Sequence, residues 1–202
     1  MEILFDETKH AYTVDGVSVP SVTQLVAPLG DDFDEMDEMM ELAVEAAADR
    51  GVTMHAYLAH RLSGGRAEDF ELQNSYSVFA DAVELFLSEH TIEPLLVEAP
   101  LGCAEFAGTP DLICEFDGQI AILDYKFVSQ IAKSKVCAQL GGYLNLCAEN
   151  GIFPANLYAV QFLANGEYRL YPADLGAAMA SFNACKFIYE IKTKKHPRGC
   201  IG

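Results

Sequence analysis

Basic residues are scarce in this chain of 202 residues, which has 13 Lys and Arg against 30 Asp and Glu and a formal net charge of −17. Proteins that grip a phosphate backbone neutralise it with Lys and Arg, so this balance disfavours nucleic-acid binding over the whole surface. The scarcity is uneven, because residues 1–111 carry 4 basic and 23 acidic side chains, whereas residues 112–202 carry 9 and 7. A local basic rim can therefore coexist with an acidic far side.

Several other features are missing. No run approaches the roughly eighteen uncharged apolar residues that cross a bilayer, and the N-terminus lacks the basic start and apolar core of a signal peptide. We therefore expect a soluble, cytoplasmic protein without a membrane partner. The cysteines are scattered without a Cys-x-x-Cys pair, which indicates reduced core thiols rather than a disulfide framework; they are Cys103, Cys114, Cys137, Cys147, Cys185 and Cys200.

The remaining pattern predicts one domain, because no internal repeat or linker interrupts it and the length suits a single core. We expect a small N-terminal β-hairpin or meander over residues 1–20, a helical region over 21–92 that Ser21 caps, and a sheet with helices over 93–202. Helices are predicted over residues 74–89, 130–149 and 174–194, with Phe182 and Phe187 in the core. The fold class is α/β, with a central mixed sheet flanked by helices.

An acidic cluster within residues 31–41 precedes an Ala-rich stretch that is predicted to be helical up to about Ser63. Early carboxylates favour a helix N-terminus. The cluster can equally be an exposed, flexible acidic segment, and it could shield a cleft from nonspecific nucleic acid.

Two apolar runs, residues 110–116 and 119–127, flank the dipeptide Asp117-Gly118, which is a strong signal for a tight hairpin. The runs should pair as antiparallel strands. Residues two apart in a strand share a face, so Asp124 and Lys126 point one way while Tyr125 points the other. Asp111 then comes from the partner strand, and the hairpin delivers two carboxylates and one ammonium to one point.

Burying isolated charges at the end of apolar strands is costly, and a divalent cation would compensate the carboxylates. Oxygen ligands from Asp111, Asp124 and the backbone carbonyl of Tyr125 suit Mg²⁺ or Mn²⁺ better than zinc. Such an ion activates water and polarises phosphoryl oxygens, while Lys126 can hold the water or stabilise developing charge. The alternative is a solvated ion pair at a strand end beside a turn shaped by Pro110-Asp111, since the pattern alone is weak.

The residues Gly108-Thr109-Pro110-Asp111 and Asp124-Tyr125-Lys126 resemble the PD-(D/E)XK nuclease superfamily, in its RecB-like and lambda-exonuclease-like branch. Gln139 and Tyr143 match the Gln-x-x-x-Tyr signature of that branch, and residues 50–55 match its Gly-x-x-x-His element. The resemblance implies a restriction-endonuclease-like core and a nuclease activity. Some relatives bind an iron–sulfur cluster through one early and three late cysteines, and because that spacing is absent we expect no cluster.

The same resemblance implies roles for several auxiliary residues. His55 would contribute to the metal site from a helix, although a lone histidine is often structural. Glu98 would be the acidic residue of the preceding strand, with Glu105 as a rival and an exposed strand position as the alternative. Gln139 and Tyr143, which share a helix face, would orient Lys126 or touch nucleic acid, unless they form an ordinary helix face.

Basic residues near the motif include Lys133 and Lys135, and Lys192, Lys194, Lys195 and Arg198 lie near the end of the sequence. The first two are candidates for substrate binding, whereas the last four can equally be a solvated tail. A strongly negative protein could still act as a nuclease if its intrinsic affinity for nucleic acid is weak, if a partner protein recruits it, or if it forms a ring-shaped homo-oligomer around its substrate.

The leading hypothesis is a Mg²⁺- or Mn²⁺-dependent DNA nuclease, an exonuclease of phage or bacterial recombination and repair acting on single- or double-stranded DNA. RNA remains open as a substrate. The alternative is a noncatalytic nuclease-fold subunit of a larger complex, or an acidic DNA mimic that occupies another protein's nucleic-acid groove.

Overall fold

A computed structural model describes residues 1–6, 8–9, 11–29 and 38–193, with the backbone alone for residues 38–45. The acidic cluster within residues 31–41 and the terminal residues Lys194, Lys195, Arg198 and Cys200 lie outside the described residues or the described side chains. The predictions made for them therefore stay predictions.

The described chain contains five α-helices, which are α1 (Val22–Leu25), α2 (Glu38–Leu62), α3 (Ser77–Glu89), α4 (Lys133–Glu149) and α5 (Leu175–Thr193). Its strands are β1 (Ile3–Asp6), β2 (Ala11–Val14), β3 (Val17–Val19), β4 (Ile92–Val97), β5 (Leu101–Gly102), β6 (Ala107–Gly108), β7 (Leu112–Phe116), β8 (Gln119–Lys126), β9 (Asn156–Phe162) and β10 (Tyr168–Ala173). The first three strands form the predicted N-terminal meander. Ser21 caps α1 through a capping box with Gln24.

The central sheet has five strands in the order β10-β9-β8-β7-β4. Strands β8 and β9 are parallel and are joined through α4, whereas every other neighbouring pair is antiparallel, so the sheet is mixed. This confirms the predicted α/β fold class with its flanking helices and N-terminal hairpin.

The hairpin between β7 and β8 forms as predicted. Phe116 pairs with Gln119 across a two-residue turn. Asp117 and Gly118 have φ values of 49° and 84°, the left-handed pair that a type I′ turn requires. Local chemistry thus sets the register that later aligns the polar ends of these strands.

Alternation along β8 divides the core between the two faces of the sheet. Ile122 packs with Leu140 and Phe182 on the side of α1, α4 and α5, whereas Leu123 packs with Met54 and Phe86 on the side of α2 and α3. Because residues two apart share a face, Asp124 lies on the α4 side with Ile122. Tyr125 lies on the opposite side, as predicted.

Three details differ from the sequence predictions. Helix α4 begins at Lys133 rather than Gln130, because the buried amide of Gln161 binds the carbonyls of Val128 and Ser129 and holds that segment as a loop. The short β5–β6 hairpin was not anticipated. Phe182 is buried, but Phe187 is 64% exposed and lies outside the core, so its assignment was wrong.

The described cysteines are unpaired thiols, and four of the five are buried as the sequence predicted. Within the described ranges, the structure contains no helix with the length and apolar character that crossing a bilayer demands.

Helices α4 and α5 approach closely at Gly141, where an added Cβ would overlap the backbone carbonyl of Ala178. We expect Gly141→Ala to lower the free energy of unfolding by about 2 kcal/mol or more, because overpacking against backbone outweighs the gain in helix propensity. Gly51→Ala is the matched control, since its Cβ would meet nothing within 4 Å, and we expect it to be neutral or stabilising by up to about 1 kcal/mol. Urea unfolding measures both, and equal stability of the two variants would contradict the close approach.

Candidate active site

Four of the predicted site residues come from three adjacent strands at one edge of the sheet. Glu98 directly follows β4, Asp111 directly precedes β7, and Asp124 and Lys126 end β8. Because both strand pairs are antiparallel, the end of β4, the start of β7 and the end of β8 meet at this edge. The backbone amide of Glu98 donates to the carbonyl of Asp111 at 3.0 Å, which extends the ladder to the site itself.

Asp124 is completely buried, and Lys126 is its counter-charge. The Lys126 Nζ lies 2.6 Å from Asp124 Oδ2 as an ion pair, whereas Oδ1 is buried and has no hydrogen-bond partner among the described groups. Burial by itself would lower the pKa of Lys126, but Asp124 and Asp111 outweigh this effect and raise that pKa. Lys126 is therefore a protonated ammonium at neutral pH.

Asp111 is held from two sides. Its Oδ2 accepts a hydrogen bond from the backbone amide of Tyr125 at 2.6 Å, and its Oδ1 lies 3.6 Å from His55 Nδ1. Burial raises the pKa of Asp111 to about 6, with His55 opposing the rise and Asp124 adding to it. Two neighbouring carboxylates thus repel each other in a partly desolvated site.

His55 reaches the same edge from α2. Its Nδ1 lies 3.5 Å from Glu98 Oε1 and is equally close to Asp111. Burial would lower the pKa of His55, but Asp111 and Glu98 together raise it above the ordinary value. The imidazole is thus positioned to orient both carboxylates.

Glu98 has a positive φ of 44°. A non-glycine residue in this left-handed region costs about 1 kcal/mol or more, and such strain clusters at functional sites. The conformation turns the chain out of β4 where the Glu98 carboxylate approaches His55.

Gln139 and Tyr143 of α4 lie behind Lys126. The amide of Gln139 donates to the Tyr143 hydroxyl at 2.9 Å, and the Lys126 ammonium lies 3.5 Å from Gln139 Oε1, at the long limit of a hydrogen bond. The buried tyrosine therefore orients the amide, and the amide oxygen faces the ammonium.

The remaining candidates lie elsewhere. The rival Glu105 forms an ion pair with Lys186 of α5, away from His55 and Asp111. Lys133 and Lys135 occupy the first turn of α4, and the Lys133 ammonium lies 5.4 Å from the centroid of the Tyr171 ring. These two lysines are not part of the cluster around Asp124.

Among the described residues, no group of three or more His, Cys, Asp or Glu side chains has the geometry to hold a metal ion, but the residue types at this edge suit a hard divalent cation. The chemical fit rests on the buried Asp124 Oδ1, which has no hydrogen-bond partner among the described groups, and on a donor set of carboxylates with one imidazole. The amide and carbonyl of a strand residue point the same way, so the Tyr125 carbonyl faces the side of Asp111.

Sequence reasoning missed Gln161. It is the register partner of Lys126 across β8 and β9, is nearly fully buried, and its amide holds the loop that follows β8. Its Oε1 accepts from the Tyr171 hydroxyl at 3.1 Å. The detectable signal was an amide in the interior of a largely apolar strand.

The pairing of Asp124 with Lys126 predicts a stability effect that does not depend on activity. We expect Lys126→Met to lower the free energy of unfolding by about 3 kcal/mol, because it leaves a buried carboxylate unpaired. Adding Asp124→Leu should restore most of that loss, since an apolar pair of similar volume needs no counter-charge. Urea unfolding in EDTA measures both variants, with Lys192→Met as the surface control. If the losses of stability from the two substitutions add up in the double variant, the effect of Lys126 does not come from its pairing with Asp124.

Comparison with known proteins gives the following. The chain matches no protein-family model and no curated protein. Among solved structures it is similar to the alkaline exonuclease LHK-Exo from Laribacter hongkongensis, with a TM-score of 0.39, 11% identity, and coverage of 84% of this chain and 87% of that one. It is also similar to LHK-Exo in complex with dAMP, with a TM-score of 0.40, 12% identity, and coverage of 86% and 87%. Both similarities are in the path of the backbone.

Proposed function

We propose that this protein is a metal-dependent deoxyribonuclease of the PD-(D/E)XK type that hydrolyses phosphodiester bonds. The observation that supports the proposal most is the meeting of Asp111, Asp124 and Lys126 at one sheet edge, where Asp124 Oδ2 pairs with Lys126 and the buried Oδ1 has no hydrogen-bond partner among the described groups. A structural ion pair would be expected to satisfy its buried oxygens. Here Oδ1 stays without a described partner, which supports a further positive ligand at this position.

In this proposal Mg²⁺ or Mn²⁺ is held by Asp111 and Asp124, with Glu98, His55 and the Tyr125 carbonyl completing the set. When bound, such an ion polarises a phosphoryl oxygen and lowers the pKa of a water ligand. The chain's own contribution is to fix the carboxylates, through the Tyr125 amide on Asp111 and through His55 between Asp111 and Glu98. These contacts orient the donors before substrate arrives.

Lys126 has a different role. Because its pKa is raised, it stays protonated and acts as a fixed positive charge rather than as a base. It donates a hydrogen bond to the attacking water or to the phosphoryl oxygen on which negative charge develops. Gln139 holds the ammonium in place, and Tyr143 holds Gln139.

From the resemblance of the motif we infer that the activity serves phage or bacterial DNA recombination and repair, with exonucleolytic action as the expected mode. The net charge of −17 makes a recruiting protein or a ring-shaped homo-oligomer part of the proposal, since either raises the local concentration of DNA without a broad basic surface.

Activity on labelled linear DNA tests the site directly. We expect Asp124→Asn and Lys126→Gln each to reduce the cleavage rate by at least about 100-fold, because each removes charge stabilisation from the reacting centre. Glu115→Gln is the matched control, since that carboxylate is exposed on β7, and it should retain the parental rate. Cleavage by Asp124→Asn at the parental rate would refute the assignment.

Metal binding can be measured without any substrate. At about 100 times its dissociation constant, Mn²⁺ should stabilise the fold by about 2.7 kcal/mol, which for a chain of this size raises Tm by about 5 to 10 °C. The shift should vanish in Asp124→Asn and persist in Glu115→Gln. An equal shift in all three proteins would place the ion elsewhere.

A second candidate function follows from the charge of residues 1–111, where acidic side chains outnumber basic ones 23 to 4. This excess of negative charge favours an acidic DNA mimic or a noncatalytic subunit. Incubation with linear, nicked and single-stranded DNA in Mg²⁺, Mn²⁺ or EDTA separates the two functions. Inertness on every substrate, together with tight binding to a nucleic-acid-binding partner, would favour the mimic.

A further inference from the structure

Arg50 differs from the other basic residues of the acidic first half. Residues 1–111 contain four basic side chains, and three of them pair with carboxylates, namely Lys9 with Asp6, Arg61 with Glu84, and Arg66 with Glu68. Arg50 has no carboxylate partner among the described side chains. Within the described part of the chain, its positive charge is therefore not neutralised.

The guanidinium of Arg50 is nevertheless held in place. Its Nε donates to the backbone carbonyl of Phe127 at 3.0 Å, and its central carbon lies 5.1 Å from the centroid of the Phe79 ring. These two contacts orient the plane of the guanidinium and leave its terminal N–H groups without a described protein acceptor. An arginine ordered in this way loses little entropy when it binds a ligand.

Arg50 lines a cleft of about 550 Å³ together with Phe79, Ser129 and Asn165. Among the carboxylates near its lining residues, Asp49 accepts a hydrogen bond from Tyr76 and Glu167 accepts one from the Asn165 amide. Asp81 lies beside Gly166 and is exposed. The guanidinium is thus the one positive group of the cleft among the described residues, and it is the group that an anion would meet.

The cleft adjoins the candidate active site. Phe127 directly follows Lys126, and its ring centroid lies 5.6 Å from that of His55. Arg50 and His55 belong to the same helix, with an axial separation of about 7.5 Å for five residues. A nucleic-acid strand bound at Asp111 and Asp124 would therefore carry a neighbouring phosphate within reach of this cleft.

We propose that Arg50 binds a backbone phosphate of the substrate strand next to the phosphate that is cleaved, as a positioning residue. The planar guanidinium matches a phosphate through two parallel N–H groups. The proposal rests on the proposed nuclease function for its substrate, and it explains how a strand can lie beside an acidic half of the protein. Phosphate contacts position the strand and carry no sequence information.

The test is the salt dependence of DNA binding, measured by fluorescence anisotropy in EDTA so that no cleavage occurs. Labelled single-stranded and duplex oligonucleotides are titrated with the parent, Arg50→Gln and Arg66→Gln between about 50 and 200 mM salt. Arg66→Gln removes the same charge from an exposed pair with Glu68. We expect Arg50→Gln to weaken binding about tenfold and to reduce the slope of log Kd against log salt by about 0.7 for single strands or 0.9 for duplex. The control should keep the parental slope.

Two further variants separate phosphate binding from a structural role. Arg50→Lys keeps the charge and should keep most of the slope. Asn165→Asp adds a carboxylate at an exposed turn that lines the cleft and should weaken binding even if Arg50→Gln fails to fold. If Arg50 has a purely structural role, Arg50→Gln should lower Tm and leave the slope of log Kd against log salt unchanged.

An unchanged slope in Arg50→Gln, or undetectable binding of either oligonucleotide by the parent protein, would overturn the phosphate site. An unchanged affinity in Asn165→Asp would overturn it where Arg50→Gln does not fold. Failure of the nuclease proposal has a different signature, because a parent protein that binds DNA with an Arg50-dependent slope and never cuts it in Mg²⁺ or Mn²⁺ refutes only the activity.

Discussion

Asp124 carries a charge in the interior of the sheet, and its only described counter-charge is Lys126, two residues further along the same strand. Burying a carboxylate in this way requires a positive partner, and Lys126 supplies it from the same face of the same strand. The antiparallel neighbour then adds Asp111, whose own burial raises its pKa to about 6. The hairpin thus brings two carboxylates close together, and a bound cation would reduce the repulsion between them.

The surrounding helices and the loop after β8 hold the charged side chains of the site in position. Helix α4 supplies Gln139 and Tyr143, which hold the ammonium from behind. Helix α2 supplies His55, which lies between Asp111 and Glu98. The loop after β8 is held by Gln161, and its first carbonyl holds Arg50. The contacts of His55, Gln139 and Arg50 each involve a charged group, an arrangement that is common at binding or reacting sites.

Most of the fold was predictable from local pattern. The Asp117-Gly118 turn, the alternation in β8 and the cap at Ser21 are determined by neighbours in the chain, and all three form as predicted. The errors arose where distant groups decide the outcome. Gln161 holds the segment before α4 as a loop, and Phe187 has a helical position that no other described element covers. In the candidate site too, some placements follow from local sequence and others depend on distant groups.

The sequence alone determined that Asp124 and Lys126 share a face and that Asp111 meets them, because turn chemistry and the two-residue period of a strand act over a few residues. Only the tertiary structure decided that Glu98 rather than Glu105 approaches His55, and that Arg50 lies beside the same edge without a carboxylate partner among the described side chains. Those placements depend on how α2 packs across the sheet and on which distant lysine pairs with Glu105. Long-range packing of this kind is not encoded in any short stretch of residues.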